Sequence, residues 1–470
     1  MRALVVPVAM FALCGCATFE KQKGHDRVAA TVQERIGADT GWGEGSPDAE
    51  QISKRLDALL ADGLTADEAV AIALLNNPSL QETYEELGVS QADLIQAGLL
   101  TNPSLDLSIG FPTTPDPLNE TEFSLVQEFV DLFMLPLRKR VAEEQFVADA
   151  LRVSHEALAT AAEVKKELVA MQAHTQLLAL QRLALTAHEL GSDLAQRQHK
   201  AGNITDLELA ERRVAFEQAR IDLSGTELSL TAQRERLNRL LGLWGPRTAW
   251  TIKDPLPDLP REEPSLERLE SIAIRQRLDI AAARKQVELM RLAADMARTW
   301  RYVGRVEVGA HTHQDADGPR LIGPMLVLEL PIFDQRQAVI ARLESQQRQS
   351  ERKLAALSVN ARSEVREARA RLQQTRQLVL HLRTQVLPLR EQVVEQAQLQ
   401  YNGMQIGLYH LLEAKQEQVE SQRGYLEALR DYWTANAELE RLLGGRRPVA
   451  GNAAAAKNVN ETAPSKKADP

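Results

Sequence analysis

The sequence predicts a mainly α-helical chain in which very long helices alternate with two pairs of short strands. Three observations carry this prediction. Aromatic residues make up only 4% of the 470 residues, whereas charged residues reach 26%, and this composition is typical of long helices and coiled coils. One pattern of elements occurs twice, with an offset of about 200 residues between the copies. Four segments alternate apolar and polar residues with the period of a β-strand.

The N-terminus has the pattern of a lipoprotein signal. An apolar run of about a dozen residues follows Arg2, and it is too short to span a bilayer as a helix. The Leu-Cys-Gly-Cys sequence that ends this run resembles a bacterial lipobox, which implies cleavage before Cys16 and lipidation of its thiol. The residue after Cys16 is Ala17 and not aspartate. By resemblance to Gram-negative lipoproteins, this implies delivery to the outer membrane. We predict a signal peptide over 1–15 and a lipid-anchored lead over 16–62; a plain signal peptide with a free cysteine is the alternative.

An internal repeat organises the rest of the chain. Residues 199–242 align without a gap with 401–444, and both segments end in Leu-Leu-Gly. Each copy predicts a helix, two strands, a very long helix and a shorter returning helix. We therefore predict a first repeat over 63–262 and a second over 263–444. The polar, alanine-rich tail over 445–470 is predicted to be disordered.

The predicted strands have the length that a tilted membrane strand needs. They cover 104–111 and 122–131 in the first repeat, and 302–312 and 325–333 in the second. Four strands are too few for a membrane barrel, since the smallest have about eight. The strands therefore form either a soluble sheet or, with the strands of two further copies, a twelve-stranded barrel. The apolar residues that would face lipid are Leu105, Leu107, Ile109, Phe111, Leu326, Leu328 and Leu330.

The helices predicted after each strand pair are unusually long. Residues 136–201 contain a single proline, at the start, so about 65 residues form a helix near 100 Å. Residues 334–403 predict a similar length, with a kink at Pro388. The returning helices over 205–241 and 408–443 are about half as long.

The first returning helix carries two apolar stripes in which every seventh residue is apolar. Positions two apart on a helix lie about 200° from each other, so the stripes occupy opposite flanks. A helix in the wall of a cylinder has a neighbour on each flank, although a helix inside a large bundle would show the same pattern. The stripes are Leu209, Phe216, Leu223, Leu230 and Leu237, and Leu207, Val214, Ile221 and Leu228.

Four motifs occur in order along residues 64–444. They are LTADEAVAIALLNNPSL, QADLIQAGLLTNPSLDLSIG, GPMLVLELPIFDQRQAVIARLESQ and the two helix-return segments that end in RLLG. Together they resemble the TolC-type outer membrane efflux factors. The resemblance implies a homotrimer whose β-barrel, set in outer membrane lipid, continues as a long α-helical barrel through the periplasm. It further implies docking on an inner-membrane pump through a periplasmic adaptor protein.

The two helix-return turns are predicted to be the periplasmic tips, and the resemblance implies that the adaptor contacts them. In the first tip, Thr205 and Glu208 have the spacing of a capping box. A purely structural role in turning the chain would explain the same residues. The predicted tip residues are Gly202, Asn203, Thr205, Asp206, Gly403 and Gly407.

The resemblance also implies a periplasmic gate in the second return segment. Tyr401 matches a tyrosine with which the family holds the tip closed. The family's ring of lumen-facing acids falls on His410 and Glu413, of which only Glu413 keeps a carboxylate. The two residues are one helical turn apart and share a face. The alternative is an ordinary solvated pair on a helix surface.

Several classes of function find no support in the sequence. The net charge is −9 and the basic residues are dispersed, so we predict no nucleic-acid partner. No HExxH, GxSxG or phosphate-binding motif occurs, so we predict no enzyme, no cofactor and no resident metal. The main alternative to a channel is a periplasmic coiled-coil adaptor or a structural lipoprotein with a soluble sheet. The duplicated strand pair favours the channel, while the exported substrate stays open because a duct selects weakly.

Overall fold

The computed structural model describes residues 22–41, 49–111, 120–261, 266–314 and 319–447. The helices and strands in these ranges are α1 (Gln22–Ile36), α2 (Ala49–Ala61), α3 (Ala66–Asn76), α4 (Pro78–Ala97), β1 (Ser104–Gly110), β2 (Glu120–Glu128), α5 (Val130–Lys200), α6 (Asp206–Leu241), α7 (Leu269–Gln276), α8 (Leu278–Thr299), β3 (Val306–Gln314), β4 (Leu321–Leu328), α9 (Gln337–His381), α10 (Leu387–Asn402) and α11 (Leu408–Leu443).

The same order of elements occurs in both halves of the chain. In the first half α3 and α4 lead into β1 and β2, the very long α5 and the returning α6. In the second half α7 and α8 lead into β3 and β4, then α9 and α10, and the returning α11. The long helix of the first half, α5, has 71 residues. In the described ranges, no helix has both the length and the apolar character needed to cross a membrane.

The second long helix is interrupted by one π-helical segment, Leu382–Val386, between α9 and α10. Pro388 is the second residue of α10. Proline lacks the backbone N–H that would donate to the preceding turn, and its ring crowds that turn. A wider π turn is one of the few ways in which a helix continues past such an obstacle, and it lies next to the proline at which the sequence predicts a kink.

Cys16 and the tail from residue 448 onward lie outside the described residues, so lipidation and disorder remain predictions. The chain divides into two compact units. The strand unit comprises Met1–Val28, Thr83–Val153 and Asp279–Leu357. The helical unit comprises Ala29–Glu82, Ser154–Leu278 and Ser358–Pro470.

The predicted start of the first long helix was wrong by six residues. The helix begins at Val130, and Pro136 lies inside it. Asp131 in the first turn explains the early start, because a carboxylate there favours the positive end of the helix dipole. Its side chain also forms an ion pair of 3.1 Å with Arg138 and accepts a hydrogen bond from Thr101. A proline therefore did not mark the helix start in this case.

The predicted strands of the second repeat were shifted by about four residues. The observed strands are β3 and β4 as given above, and Leu330 lies two residues beyond the end of β4. β4 itself contains Pro324, opposite Ala310, which an outer strand tolerates because its N–H position can face away from the ladder. In the first repeat, Phe111 lies one residue beyond β1. Both residues had been predicted within strands.

The core of the helical unit lies where α9 and α11 pack together. Leu372 and Val379 of α9 and Leu429 and Tyr432 of α11 are buried in one cluster, which Leu256 of the inter-repeat linker completes. These residues follow the helical period, so each helix contributes one apolar face. The linker residues close the cluster on its open side.

Each returning helix ends in a close backbone contact with the helix pair that opens its repeat. Gly242, with φ +65°, follows α6, and a Cβ built on it would lie 2.2 Å from the carbonyl oxygen of Asn76. The Asn76 side chain donates hydrogen bonds to the carbonyls of Leu241 (2.9 Å) and Gly242 (2.8 Å). Gly444, with φ +77°, follows α11 and approaches Gln276 in the same way. Only glycine combines the left-handed conformation with this approach.

Replacing Gly242 by alanine should lower the free energy of unfolding by at least about 2 kcal/mol. The alanine Cβ is strained in the left-handed conformation, and it also clashes with the Asn76 carbonyl oxygen. Thermal unfolding followed by circular dichroism measures the effect. Gly225 in α6 is the control, since a Cβ there meets nothing within 4 Å. Gly225→Ala should be neutral or stabilise the helix by up to about 1 kcal/mol. A Gly242→Ala variant that melts with the wild type would refute this account.

Candidate functional site

The strand unit contains a four-stranded antiparallel sheet in the order β1-β2-β3-β4. Leu105 lies opposite Leu125 and Leu107 opposite Phe123, while Leu326 of β4 lies opposite Val308. These pairs place apolar side chains on one face, and that face is uncovered. The predicted lipid-facing residues, all exposed by between 47% and 75%, are Leu105, Leu107, Ile109, Phe111, Leu326, Leu328 and Leu330.

The opposite face of the sheet is polar. Asp106 lies opposite Ser124, and Ser108 lies opposite Glu122. His311 continues the first row on β3, opposite Ser124. The sheet therefore separates an apolar surface from one that carries carboxylates, hydroxyls and imidazoles. Within the described ranges, no three His, Cys, Asp or Glu side chains are grouped closely enough to hold a metal ion.

The two outer strands of the sheet have open edges. Among the described residues, β1 is hydrogen-bonded only to β2, and β4 only to β3. Each outer strand therefore has backbone donors and acceptors without a strand partner on one side. Such edges require water, or another strand, to satisfy these groups.

The turn between α5 and α6 forms the first tip of the helical unit. Gly202 is left-handed, with φ +75°. Its amide donates to the carbonyl of His199 and the amide of Asn203 donates to that of Gln198, both at 2.9 Å. This pair of bonds is a Schellman motif, which satisfies the last carbonyls of a helix. The predicted glycine thus ends α5 where the sequence placed the turn.

The start of α6 contains the predicted capping box. The Glu208 amide donates to Oγ1 of Thr205 (3.2 Å) and the Thr205 amide donates to Oε2 of Glu208 (2.8 Å). The Thr205 hydroxyl also donates to Oε2 of Glu208 (3.1 Å). The bond from the Thr205 amide, and then the bond from its hydroxyl, lower the pKa of the Glu208 carboxyl group. Asp206 lies beside His199, with 2.7 Å between Oδ1 and Nε2. The tip is therefore closed by local hydrogen bonds.

The second tip, between α10 and α11, follows the same path with less suitable residues. Met404 is left-handed, with φ +56°, whereas Gly403 is not, with φ −81°. Sequence reasoning had looked for the turn residue at the glycines. Gly407 occupies the N-cap without a side-chain hydrogen bond, and His410 stands where Glu208 closes the first tip. The second tip therefore lacks both the left-handed glycine and the capping box.

The predicted gate residues Tyr401, His410 and Glu413 are all exposed near the second tip. A different tyrosine joins the two tips. The Tyr409 hydroxyl donates to Oε1 of Gln198 at 2.5 Å, and the Arg212 guanidinium carbon lies 4.2 Å from the centre of the Tyr409 ring. Burial raises the pKa of Tyr409. Sequence reasoning missed this residue because its partners come from α5 and α6, about 200 residues earlier.

Comparison with known proteins relates this chain to outer membrane efflux proteins. Residues 69–243 match the model described as outer membrane efflux protein. The cobalt-zinc-cadmium resistance protein CzcC of Cupriavidus metallidurans is 25% identical over 289 residues, which span 59% of this chain and 65% of CzcC. Residues 69–243 of this chain, somewhat less than half of its length, are thus similar to the outer membrane efflux proteins. The match covers somewhat less than two thirds of the length of that relative.

Solved structures share the fold of this chain. A membrane protein from Pseudomonas aeruginosa superposes with a TM-score of 0.70 at 20% identity, covering 82% of this chain and 92% of that one. The Campylobacter jejuni CmeC outer membrane channel gives 0.70 at 14% identity, covering 86% and 90%. The open state of the Neisseria gonorrhoeae MtrE outer membrane channel gives 0.65 at 17% identity, covering 84% and 90%. These likenesses show the fold, with its long helices and four antiparallel strands.

Replacing Met404 by glycine should stabilise the second tip by about 1 kcal/mol, because glycine adopts the left-handed conformation without a Cβ penalty. Gly202→Ala should destabilise the first tip by a similar amount. A Cβ at Gly202 meets nothing within 4 Å, so this variant changes backbone preference alone. Amide hydrogen exchange of the tip peptides, read by mass spectrometry, should slow in the first variant and accelerate in the second. Unchanged exchange in both would count against the assignment.

Proposed function

We propose that this chain is the outer membrane channel of a tripartite efflux system and acts as a passive duct from the periplasm to the exterior. Three copies would pool their strands into a twelve-stranded barrel and their helices into a periplasmic tunnel. One observation carries the proposal. In a single copy, the outer edges of the sheet have no strand partner, and apolar side chains of both the sheet and the helices are exposed.

The sheet supports the proposal through its face and its edges. Its apolar face matches a hydrocarbon environment, and its polar face matches a water-filled lumen. In lipid, an unpaired strand edge costs several kcal/mol for each backbone group, so only closed barrels occur there. Neighbouring copies would supply the partners that β1 and β4 lack. Four strands from each of three copies satisfy the even strand number of bacterial barrels.

The helices support the proposal through their uncovered stripes. Of the two stripes predicted on α6, the one that contains Leu209 and Leu237 is buried at both ends. The other is exposed along its whole length, by between 64% and 72%; its residues are Leu207, Val214, Ile221 and Leu228. On the second long helix, Leu378, Leu389 and Val393 are also exposed. Copies placed side by side in a ring would bury the exposed stripe of α6 against the exposed apolar residues on the second long helix of the next copy. Such a contact between two different surfaces is a heterologous interface.

The ends of the molecule fit the same assembly. The two tips, with the residues named above, would contact a periplasmic adaptor protein, which would join the channel to an inner-membrane pump. Tyr401, His410 and Glu413 would form the periplasmic gate. A lipid on Cys16 would hold the N-terminal lead at the outer membrane. Because CzcC is named for resistance to cobalt, zinc and cadmium, divalent metal cations are the first cargo class that we would test.

Replacing Ile221 by glutamate should reduce the trimer fraction at least about tenfold, because the carboxylate would be buried without a partner between copies. Heat-modifiable migration and chemical crosslinking of outer-membrane fractions measure assembly, and planar-bilayer recordings measure conductance. Ser229→Glu is the matched control, since Ser229 is exposed on the same helix and lies about 100° around the helix from Leu228 of the stripe. It should assemble and conduct like the wild type.

Two results would contradict this prediction. Equal trimer fractions in the two variants would show that this stripe does not lie in an interface between copies. A wild-type chain found as a monomer in the soluble periplasmic fraction would favour the alternative, an adaptor or structural lipoprotein with a soluble sheet.

The gate assignment predicts that Glu413→Ala lowers cation selectivity. Three carboxylates around one axis concentrate negative charge where the duct is narrow, so their removal should lower the cation-to-anion permeability ratio at least about twofold. Reversal potentials of single channels in a salt gradient measure this ratio. Glu211→Ala, which removes the same charge from an exposed position on α6, should leave it unchanged. Equal ratios in both variants would show that Glu413 does not line the gate.

A further inference from the structure

A groove in the helical unit has the size and lining of a small-molecule site. Its volume is about 440 Å³ and it lies between α5, α6 and α11. Leu183 and Leu190 of α5, which are 66% and 67% exposed, line its open side. Leu412 and Val419 of α11, both half-buried, form the opposite wall. The residues of each pair are two helical turns apart, about 10 Å along the axis. Sites that hold drug-sized ligands have such volumes and such largely apolar walls.

One cation in this groove has no carboxylate within ion-pair distance in the described residues, although its charge acts on Glu208, one helical turn earlier. Arg212 of α6 is part of the lining. Its Nε is shielded from solvent and has no hydrogen-bond partner within the described residues. Its guanidinium faces the ring of Tyr409 instead. The Nε atoms of Arg35, Arg138, Arg301 and Arg447 are shielded without a partner in the same way, but none of these four arginines lines this groove. A carboxylate, sulfonate or phosphate in the groove would supply acceptors to the Arg212 guanidinium.

The other polar groups of the groove leave room for a negative charge at Arg212. His188 of α5 also lines the groove. Burial, and then the charge of Arg212, lower the pKa of His188, so at neutral pH the imidazole is an uncharged hydrogen-bonding group. Glu413 and Lys415, exposed residues of opposite charge, also line the groove. The remaining polar residues of the lining are uncharged: Thr186, Ser192, Gln416, Gln418 and Gln422. Arg212 is thus the shielded charge of the groove.

We propose that this groove binds small amphipathic organic anions, with the anionic group on Arg212 and the apolar body between the leucines of α5 and α11. All of its walls belong to one copy of the chain. The site therefore exists whether or not the chain conducts, and it goes beyond the channel proposed above.

The test uses two fluorescent probes with the same ring system. 8-Anilinonaphthalene-1-sulfonate carries an anionic group, and N-phenyl-1-naphthylamine lacks it. Both are titrated into the full chain in phosphatidylcholine nanodiscs, with protein-free nanodiscs as the blank. Arg212→Gln should weaken binding of the sulfonate at least about tenfold and leave the uncharged probe within about twofold of the wild type. Arg213→Gln is the matched control, because Arg213 is exposed on the same helix and outside the groove; it should change neither affinity.

A second variant tests the apolar walls. Val419→Trp should fill the groove and weaken binding of both probes. The proposal is overturned if Arg212→Gln and Arg213→Gln bind the sulfonate equally, or if Val419→Trp leaves its affinity unchanged. Migration of each variant as a trimer, checked on the same preparations, separates failure of this site from failure of the channel assembly.

Discussion

The backbone N–H and C=O groups on the outer edges of β1 and β4 need hydrogen-bond partners, and this need is the main physical constraint on the molecule. In the described residues these strands have a partner on one side only, and hydrocarbon offers no water for the other side. In the assembly proposed above, neighbouring copies would complete this hydrogen bonding. The helical unit leaves apolar side chains, rather than backbone groups, uncovered.

Local chemistry made much of this fold predictable from sequence. The strand faces follow from alternation, because Leu105 and Leu107 need nothing beyond their spacing to lie on one side. The capping box of Thr205 follows from four consecutive residues. The start of α5 did not follow, because Asp131 is fixed partly by Thr101, 30 residues earlier. Tyr409 escaped prediction for the same reason, since its contacts join three helices that are distant in sequence.

The two tips show how one backbone path can be built with unequal stability. The first uses Gly202 for the left-handed residue and Thr205 for the N-cap, which are the residue types that these positions favour. The second uses Met404 and Gly407 at the equivalent positions. A left-handed methionine and an N-cap without a side chain make that turn easier to remodel. The predicted gate residues lie beside this weaker turn.

The π-helical segment Leu382–Val386 changes what the second long helix presents to its surroundings. Ala361 and Val365 lie ahead of it and are buried, whereas Leu389 and Val393, at the same heptad positions four repeats later, are exposed. A π turn holds one residue more than an α turn and rotates the following helix by about 100°. The π-helical segment therefore changes which side of the helix the heptad positions face. The same heptad positions pack within their own chain before the segment and are exposed after it, where the proposed assembly would bury them against a neighbouring copy.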